Sequence, residues 1–233
     1  MQEQDIVGVI VAKKDSKRLP GKTFLEIGGR SMLDRKIGAI QQTSRVNRIV
    51  VGTNSDRVAE VAQERNCEVL WRDEYHCDES RCSANEMIFD MVSRIEADVI
   101  VWLHLTNPLV RHETIDEAVK AFVERGPEFD SLCSVQALRE HLWFKERPHN
   151  FNPWGERHPL ASELPPYYMQ NGAIFIQPRE AMAQNRYFYG KRPVLFEMNR
   201  YESADINEYG DFLVADAYYR YMCEQGLMSD QPA

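Results

Sequence analysis

Residues 6–12 read Ile-Val-Gly-Val-Ile-Val-Ala, and Lys13-Lys14-Asp15-Ser16-Lys17-Arg18-Leu19-Pro20-Gly21-Lys22-Thr23 follows at once. The first stretch is a short apolar run rich in β-branched residues, the pattern of a strand buried on both faces. The second is polar, and five of its eleven residues are basic. A buried strand that runs into a basic turn sets a charged loop at the strand's carboxyl end. That is the edge at which open α/β sheets bind their ligands.

Outward from this stretch, strand and helix patterns alternate. Residues 31–42 carry Met32, Leu33, Ile37 and Ile40 at helical spacing, and Arg48 to Thr53 reads as a second strand. Val58, Val61 and Ala62 mark a helix, and Cys67 to Trp71 a third strand. After a polar stretch from Arg72 to Arg81, Met87, Ile88, Met91, Val92 and Ile95 share one helix face. Asp98 to Leu105 is the strongest strand signal, and Ile115, Ala118, Val119 and Phe122 point one way from the helix behind it. Such alternation implies βαβ units, a largely parallel sheet and a three-layer α/β sandwich. Beyond a strand at Ser131 to Gln136 the pattern changes. Residues 138–168 hold five prolines (Pro148, Pro153, Pro159, Pro165 and Pro166) among polar and aromatic neighbours, and read as an irregular excursion from the sheet. Strands return at Asn171 to Gln177 and Val194 to Met198, and a helix over about 208–223 closes the chain. The whole of 1–233 reads as one domain with an irregular arm at about 138–170.

The composition sets limits. The 233 residues are 43% hydrophobic and 27% charged, a balance that buries a core. A formal net charge of -8 argues against a nucleic-acid partner, so an anionic ligand needs a local basic pocket. No apolar run approaches the ~20 residues that span a bilayer. Met1-Gln2-Glu3-Gln4-Asp5 lacks the basic flank and apolar stretch of a secretory signal. Five cysteines show no framework spacing, and reduced thiols in a cytoplasmic protein are expected. His76, Cys77 and Cys82 cluster, but no second pair with zinc spacing follows.

The basic loop has a chemistry of its own. Its lysines and Arg18 would neutralise a triphosphate, while Ser16 and backbone N–H groups donate to phosphate oxygens. Pro20 and Gly21 would turn the chain so that Lys22 points back toward the loop. The competing reading is a solvated basic turn. Gly21-Lys22-Thr23 matches the end of a Walker loop, but Ser16 stands at its first glycine position and Pro20 lies inside it.

The stretch Val11 to Lys22 resembles the CTP-binding loop of sugar-acid cytidylyltransferases, the CMP-sialic acid and CMP-Kdo synthetases and their relatives. Three further segments resemble that family in the same order: Leu105-Thr106-Asn107-Pro108-Leu109, Asn171-Gly172-Ala173-Ile174-Phe175-Ile176, and Ser203-Ala204-Asp205-Ile206-Asn207. The resemblance implies a three-layer, Rossmann-like α/β/α fold with a mixed sheet and a protruding dimerisation arm. It implies CTP and a small acidic sugar as substrates, Mg²⁺ as cofactor and a homodimer, with Tyr187, Phe188 and Tyr189 packing where aromatics of that arm would.

By the same resemblance, Ala12, Lys13, Lys14, Ser16, Lys17, Lys22, Arg72 and Ser83 bind the nucleotide. Lys13 stands where the family has arginine, which keeps the charge and loses the bidentate fork. Ser83 also reads as a plain helix cap. Asp205 and Asn207 would hold Mg²⁺, Asn207 replacing the family's second aspartate; a cap on the last helix is the other reading of Asp205. Lys22, Asp205 and His104 form the catalytic set, and His104 and Asn171 face the acceptor. The family's carboxylate-binding arginine aligns at about Ala161, leaving Arg157 or Lys145 to substitute. Two other readings stay open: the same fold acting on another acceptor, such as a sugar phosphate or phosphonate, and a nucleotide-binding protein without turnover.

Overall fold

The computed structural model describes residues 4–229. Residues 1–3, part of the N-terminal stretch read above, and 230–233 lie outside the described residues. Seven strands form one sheet: β1 (Ile6–Val11), β2 (Arg48–Thr53), β3 (Glu68–Trp71), β4 (Val99–Leu103), β5 (Ser131–Leu138), β6 (Tyr167–Pro178) and β7 (Pro193–Glu197). Their order across the sheet is β7-β5-β6-β4-β1-β2-β3. β6 runs antiparallel to both β4 and β5, and the remaining pairs are parallel, so the sheet is mixed.

The two faces of β1 divide the core. Ile6 and Ile10 point to the layer built by α1 (Met32–Gln41), α2 (Asp56–Glu64) and, further along the chain, His112–Val123 and Tyr209–Glu224. Val7 and Val9 point to the opposite layer, where Ala84–Ser93 and Arg179–Asn185 pack. A period of two along a strand thus feeds helices on both faces, which is why the run carries no polar residue. Gly8 is small for a reason: a Cβ there would lie 3.1 Å from Ile40 and 3.2 Å from Val46. Beyond a single helical turn at Glu74–Cys77, the later helices in chain order are α3 (Ala84–Ser93), α4 (His112–Val123), α5 (Arg179–Asn185) and α6 (Tyr209–Glu224). Ser31, Ser55 and Ser83 begin α1, α2 and α3, each accepting from the backbone N–H three residues on.

Two features differ from the sequence reading. β6 starts at Tyr167, four residues before the expected strand, because Tyr167–Gln170 pair with β5. Those four residues are exposed, so they show no burial alternation; the register shifts between Gln170 and Phe175, where Gly172 adopts φ 73°. α5 was not expected. It spans seven residues and buries Met182 alone, too little for a helical period to show. The excursion is ordered into a small hairpin, Trp143–Phe144 against Arg147–Pro148, and a 3-10 turn at Ala161–Glu163. Among the described residues, no helix is long and apolar enough to cross a membrane.

Candidate active site

The loop after β1 is tied down where it begins. Ala12 N–H donates to the Gly52 carbonyl (3.0 Å) and Lys14 N–H to the Asn54 side chain (2.8 Å). Ser16 Oγ accepts from Leu19 N–H (3.3 Å), closing a tight turn. Gly21 then takes φ 70°, a left-handed conformation that glycine adopts without strain. That turn starts a single 3-10 turn, Lys22–Phe24, followed by a short hairpin (Glu26–Ile27 against Arg30–Ser31) rather than a long helix. The Walker reading therefore fails on its architecture, since such a loop must open a helix.

The reversal carries Lys22 inward, where its Nζ donates to the Ile206 carbonyl (3.1 Å). Two ends of the chain meet there. Burial and the charge of Arg18 lower the Lys22 pKa, while Asp205 and Glu79 oppose them. Lys13 pairs with Glu79 (2.7 Å) and Lys17 with Asp78 (3.1 Å), so carboxylates from the 72–82 stretch balance the basic loop. These pairs are partly exposed and weak, and a triphosphate could displace them.

A cavity of about 590 Å³ opens between these parts. Of the residues assigned from sequence, Ala12, Lys13, Ser16, Lys17, Lys22, Arg72, Ser83, His104, Asp205 and Asn207 line it. Arg72 follows β3 and is buried; its guanidinium donates to the His76 carbonyl, and burial lowers its pKa. Ser83 caps α3 through a reciprocal pair with Glu86 (3.2 and 2.9 Å) while its side of the helix faces the cavity, so cap and cavity wall coexist. His104 directly follows β4, with its ring edge-on to Phe175 and Phe188. Burial drives its pKa down to about 4, Asp205 pulling up and Lys36 adding to the fall, so the imidazole is neutral at pH 7.

Asp205 sits in a segment that is held from several sides. Ile206 N–H donates to the Thr106 carbonyl (2.8 Å), and Asn107 Nδ2 donates to the carbonyls of Ala204 (3.2 Å) and Asn171 (3.1 Å). Asp205 does not cap α6: Asp211 accepts from the N–H groups of Asn207 and Glu208 instead. Asn207 Nδ2 donates to Asp205 Oδ2 (2.6 Å), and neither residue's Oδ1 is hydrogen-bonded among the described residues. Those two oxygens are hard donors that fit Mg²⁺. Among the described residues no group of three or more His, Cys, Asp or Glu could hold a metal alone, so the cation would need ligand oxygens as well.

Four assigned residues lie elsewhere. Lys14 is exposed beside the cavity and contributes its backbone to the loop anchor. Asn171 is buried and fully committed: it accepts from Ser134 Oγ (2.6 Å) and donates to Ser203 Oγ (2.9 Å), which makes it a strut under the site rather than an acceptor contact. Lys145 and Arg157 are exposed on the excursion outside the cavity wall, and Arg157 pairs with Glu163 (2.5 Å). Phe188 stacks on Phe175 and meets Trp102 within the same chain, so it builds the cavity rather than an arm contact. Sequence reasoning missed Trp102 and Met87 as lining, because apolar residues in strands and helices read as core, and it took Phe188, in the loop after α5, for an arm aromatic. It also missed buried Lys36, which no local pattern marks.

A family model described as cytidylyltransferase matches residues 7–209. The chain is 26% identical over 213 residues to an N-acylneuraminate cytidylyltransferase from Streptococcus agalactiae serotype III (strain NEM316), covering 88% of this chain and 51% of that one. It is 26% identical over 215 residues to a CMP-N,N'-diacetyllegionaminic acid synthase from Legionella pneumophila, covering 87% and 90%. The chain thus spans about half the length of the streptococcal relative. A solved structure of a CMP:2-keto-3-deoxy-manno-octonic acid synthetase complexed with CTP superposes with a TM-score of 0.65 at 16% identity, over 95% of this chain and 99% of that one. The Rossmann-like α/β fold is shared.

Proposed function

Because the chain belongs to the cytidylyltransferase family, we propose that it transfers CMP from CTP to a nonulosonic or other 2-keto-3-deoxy sugar acid, releasing pyrophosphate with Mg²⁺ assisting. One observation carries this reading: the basic loop after β1 and the Asp205 segment line the same cavity at the carboxyl ends of β1 and β4. The names of the relatives support the reaction class.

In the reaction the acceptor's anomeric hydroxyl oxygen attacks the α-phosphorus of CTP. A new P–O bond forms, the bond from that phosphorus to the bridging oxygen breaks, and pyrophosphate leaves with the electron pair. Lys13, Lys17 and Lys22 neutralise the charge that builds on it, an electrostatic effect that is strong in a partly dry cavity. Neutral His104 accepts a hydrogen bond from the hydroxyl and orients it. With a pKa of about 4 it is too weak a base to keep the proton, which passes on to water. Asp205 and Asn207 would hold Mg²⁺, which when bound supplies charge neutralisation and orientation of the phosphates. Ser83 and Arg72 line the nucleotide end.

The homodimer belongs to the same proposal. Trp143, Phe144, Trp154 and Leu160 on the excursion are 60%, 64%, 80% and 58% exposed, apolar area that a second copy would cover. Five free cysteines support a reducing, cytoplasmic setting. The test is pyrophosphate release with Mg²⁺, each of the four NTPs, and a panel of sialic, Kdo-like and other nonulosonic acids. Release with CTP and at least one acid supports the proposal. CTP binding without release from any acid overturns it and favours a binder without turnover.

A further inference from the structure

Among the described residues Lys36 is the one fully buried lysine, set on α1 in the company of Met32, Leu33, Ile37 and Ile40. Lysine is rarely buried unless a carboxylate pairs with it. Glu202, the carboxylate that attracts it, is engaged by Arg111, Thr114 and Asn199 instead. What the amine holds is a main-chain oxygen: Nζ donates to the Asn107 carbonyl at 2.6 Å. Asn107 is fully buried, and among the described residues no other group donates to that carbonyl. A methionine or leucine would fill the same space without the cost of burying an amine. The reason for the lysine lies in what its bond controls.

The Asn107 carbonyl belongs to a turn that grips Asp205 from both sides. On one side Asn107 Nδ2 donates to the Ala204 carbonyl (3.2 Å); on the other, Ile206 N–H donates to the Thr106 carbonyl (2.8 Å). The same amide reaches the Asn171 carbonyl (3.1 Å), so both its N–H groups are spent while Oδ1 stays unpaired. That fixes the amide's orientation, because a flipped amide would set its oxygen against two carbonyls. Thr106, Asp205 and Asn207 line the cavity, whereas Asn107 and Lys36 do not. The turn at residues 106–107 thus stands between the cavity and Lys36, which ties it down from the α1 side. Without that bond a buried carbonyl loses its donor, and the turn must shift to find another.

We infer that Lys36 is a positioning residue: by holding the Asn107 carbonyl it sets the turn at 106–107 and, through that turn, the place of Asp205 in the cavity. This rests on the cytidylyl-transfer reading, in which Asp205 and Asn207 hold Mg²⁺. Removing Lys36 displaces Asp205 and leaves its carboxylate in place.

The experiment compares wild type with Lys36→Met, Asn107→Ser and the double variant. CTP affinity is measured by calorimetry with and without Mg²⁺, and kcat with an acceptor acid. Without Mg²⁺ the proteins bind CTP alike, because Lys13 and Lys17 are held by Glu79 and Asp78 and not by the turn. The gain in affinity that Mg²⁺ brings falls by about tenfold in each single variant, and so does kcat, the usual loss when a group that orients a metal ligand is removed. The double variant is no worse than the worse single one, since both residues act through one turn. Should Lys36→Met fail to fold, Lys36→Gln keeps a donor on a shorter stem and shows an intermediate loss in the same assay. A merely structural role leaves the Mg²⁺ gain intact and lowers kcat only with the folded fraction, read by circular dichroism. That outcome overturns the inference, as do losses that multiply in the double variant or a wild type whose CTP affinity Mg²⁺ does not raise. If no acid yields pyrophosphate while the Mg²⁺ gain still falls in the variants, the transfer reading fails and the role of Lys36 stands.

Discussion

Lys36 offers a quantitative test of how the ground beneath the site is built. It is fully buried on α1, and its Nζ donates to the Asn107 carbonyl at 2.6 Å. Burial lowers its pKa to about 7, against the attraction of Glu202. In the unfolded chain a lysine titrates near ~10.4. Between those two values the unfolded chain holds a proton that the folded chain has released, so stability rises with pH across the window. Below about pH 7 both states are protonated and the effect is flat, at its least favourable value. From about pH 7 to about pH 8.5 the gain is ~1.6 kcal/mol, because the group is half titrated at the start. Lys36→Met keeps the length and apolar stem and has no proton to lose. It strips Asn107 of a donor, an offset that is the same at both pH values and cancels. Urea unfolding at the two pH values therefore shows wild type gaining ~1.6 kcal/mol relative to Lys36→Met. A difference between the two proteins that does not change with pH would refute the reasoning.

Lys22→Met separates chemistry from stability. Losing its charge-assisted phosphate contacts, at ~1.5–3 kcal/mol each, lowers kcat/KM by about 100-fold. The thermal midpoint holds or rises, because burial already disfavours the charge; a midpoint that falls in step with activity contradicts this. Ser83→Ala removes the hydroxyl half of the capping box, leaving Glu86 to accept from the backbone N–H of residue 83, and destabilises by about 1 kcal/mol, read by urea melts with and without CTP. With its pKa near 4, His104 contributes no inflection to kcat/KM between about pH 6 and pH 8. An inflection near ~6.5 that vanishes in His104→Gln would show the ring titrating as an ordinary histidine.

Local chemistry decided which parts were legible. β1 and β4 announce themselves because both faces are buried and every residue is apolar, and Ser31, Ser55 and Ser83 mark helix starts through their own hydroxyls. The basic loop stands out as positive charge in an acidic chain. Asn171 looked like a ligand contact from its motif, but its partners, Ser134 and Ser203, come from distant segments that no local window joins. Arg157 was a natural substitute for a missing arginine until the excursion's own turn, closed by Glu163, placed it outside the cavity. Trp102 was hidden for the opposite reason. A tryptophan inside a strand reads as core, and its unpaired N–H and place in the cavity wall exist only in three dimensions.

The most direct measurement follows the α-phosphate itself. CTP labelled at the α-phosphorus is incubated with Mg²⁺, the protein and a nonulosonic or Kdo-like acid, and the products are separated. The account predicts that the label moves onto the acid as a CMP-sugar in step with pyrophosphate release, and that Lys22→Met slows both together. Label that stays in CTP with every acid, or that appears only as free CMP, would contradict it.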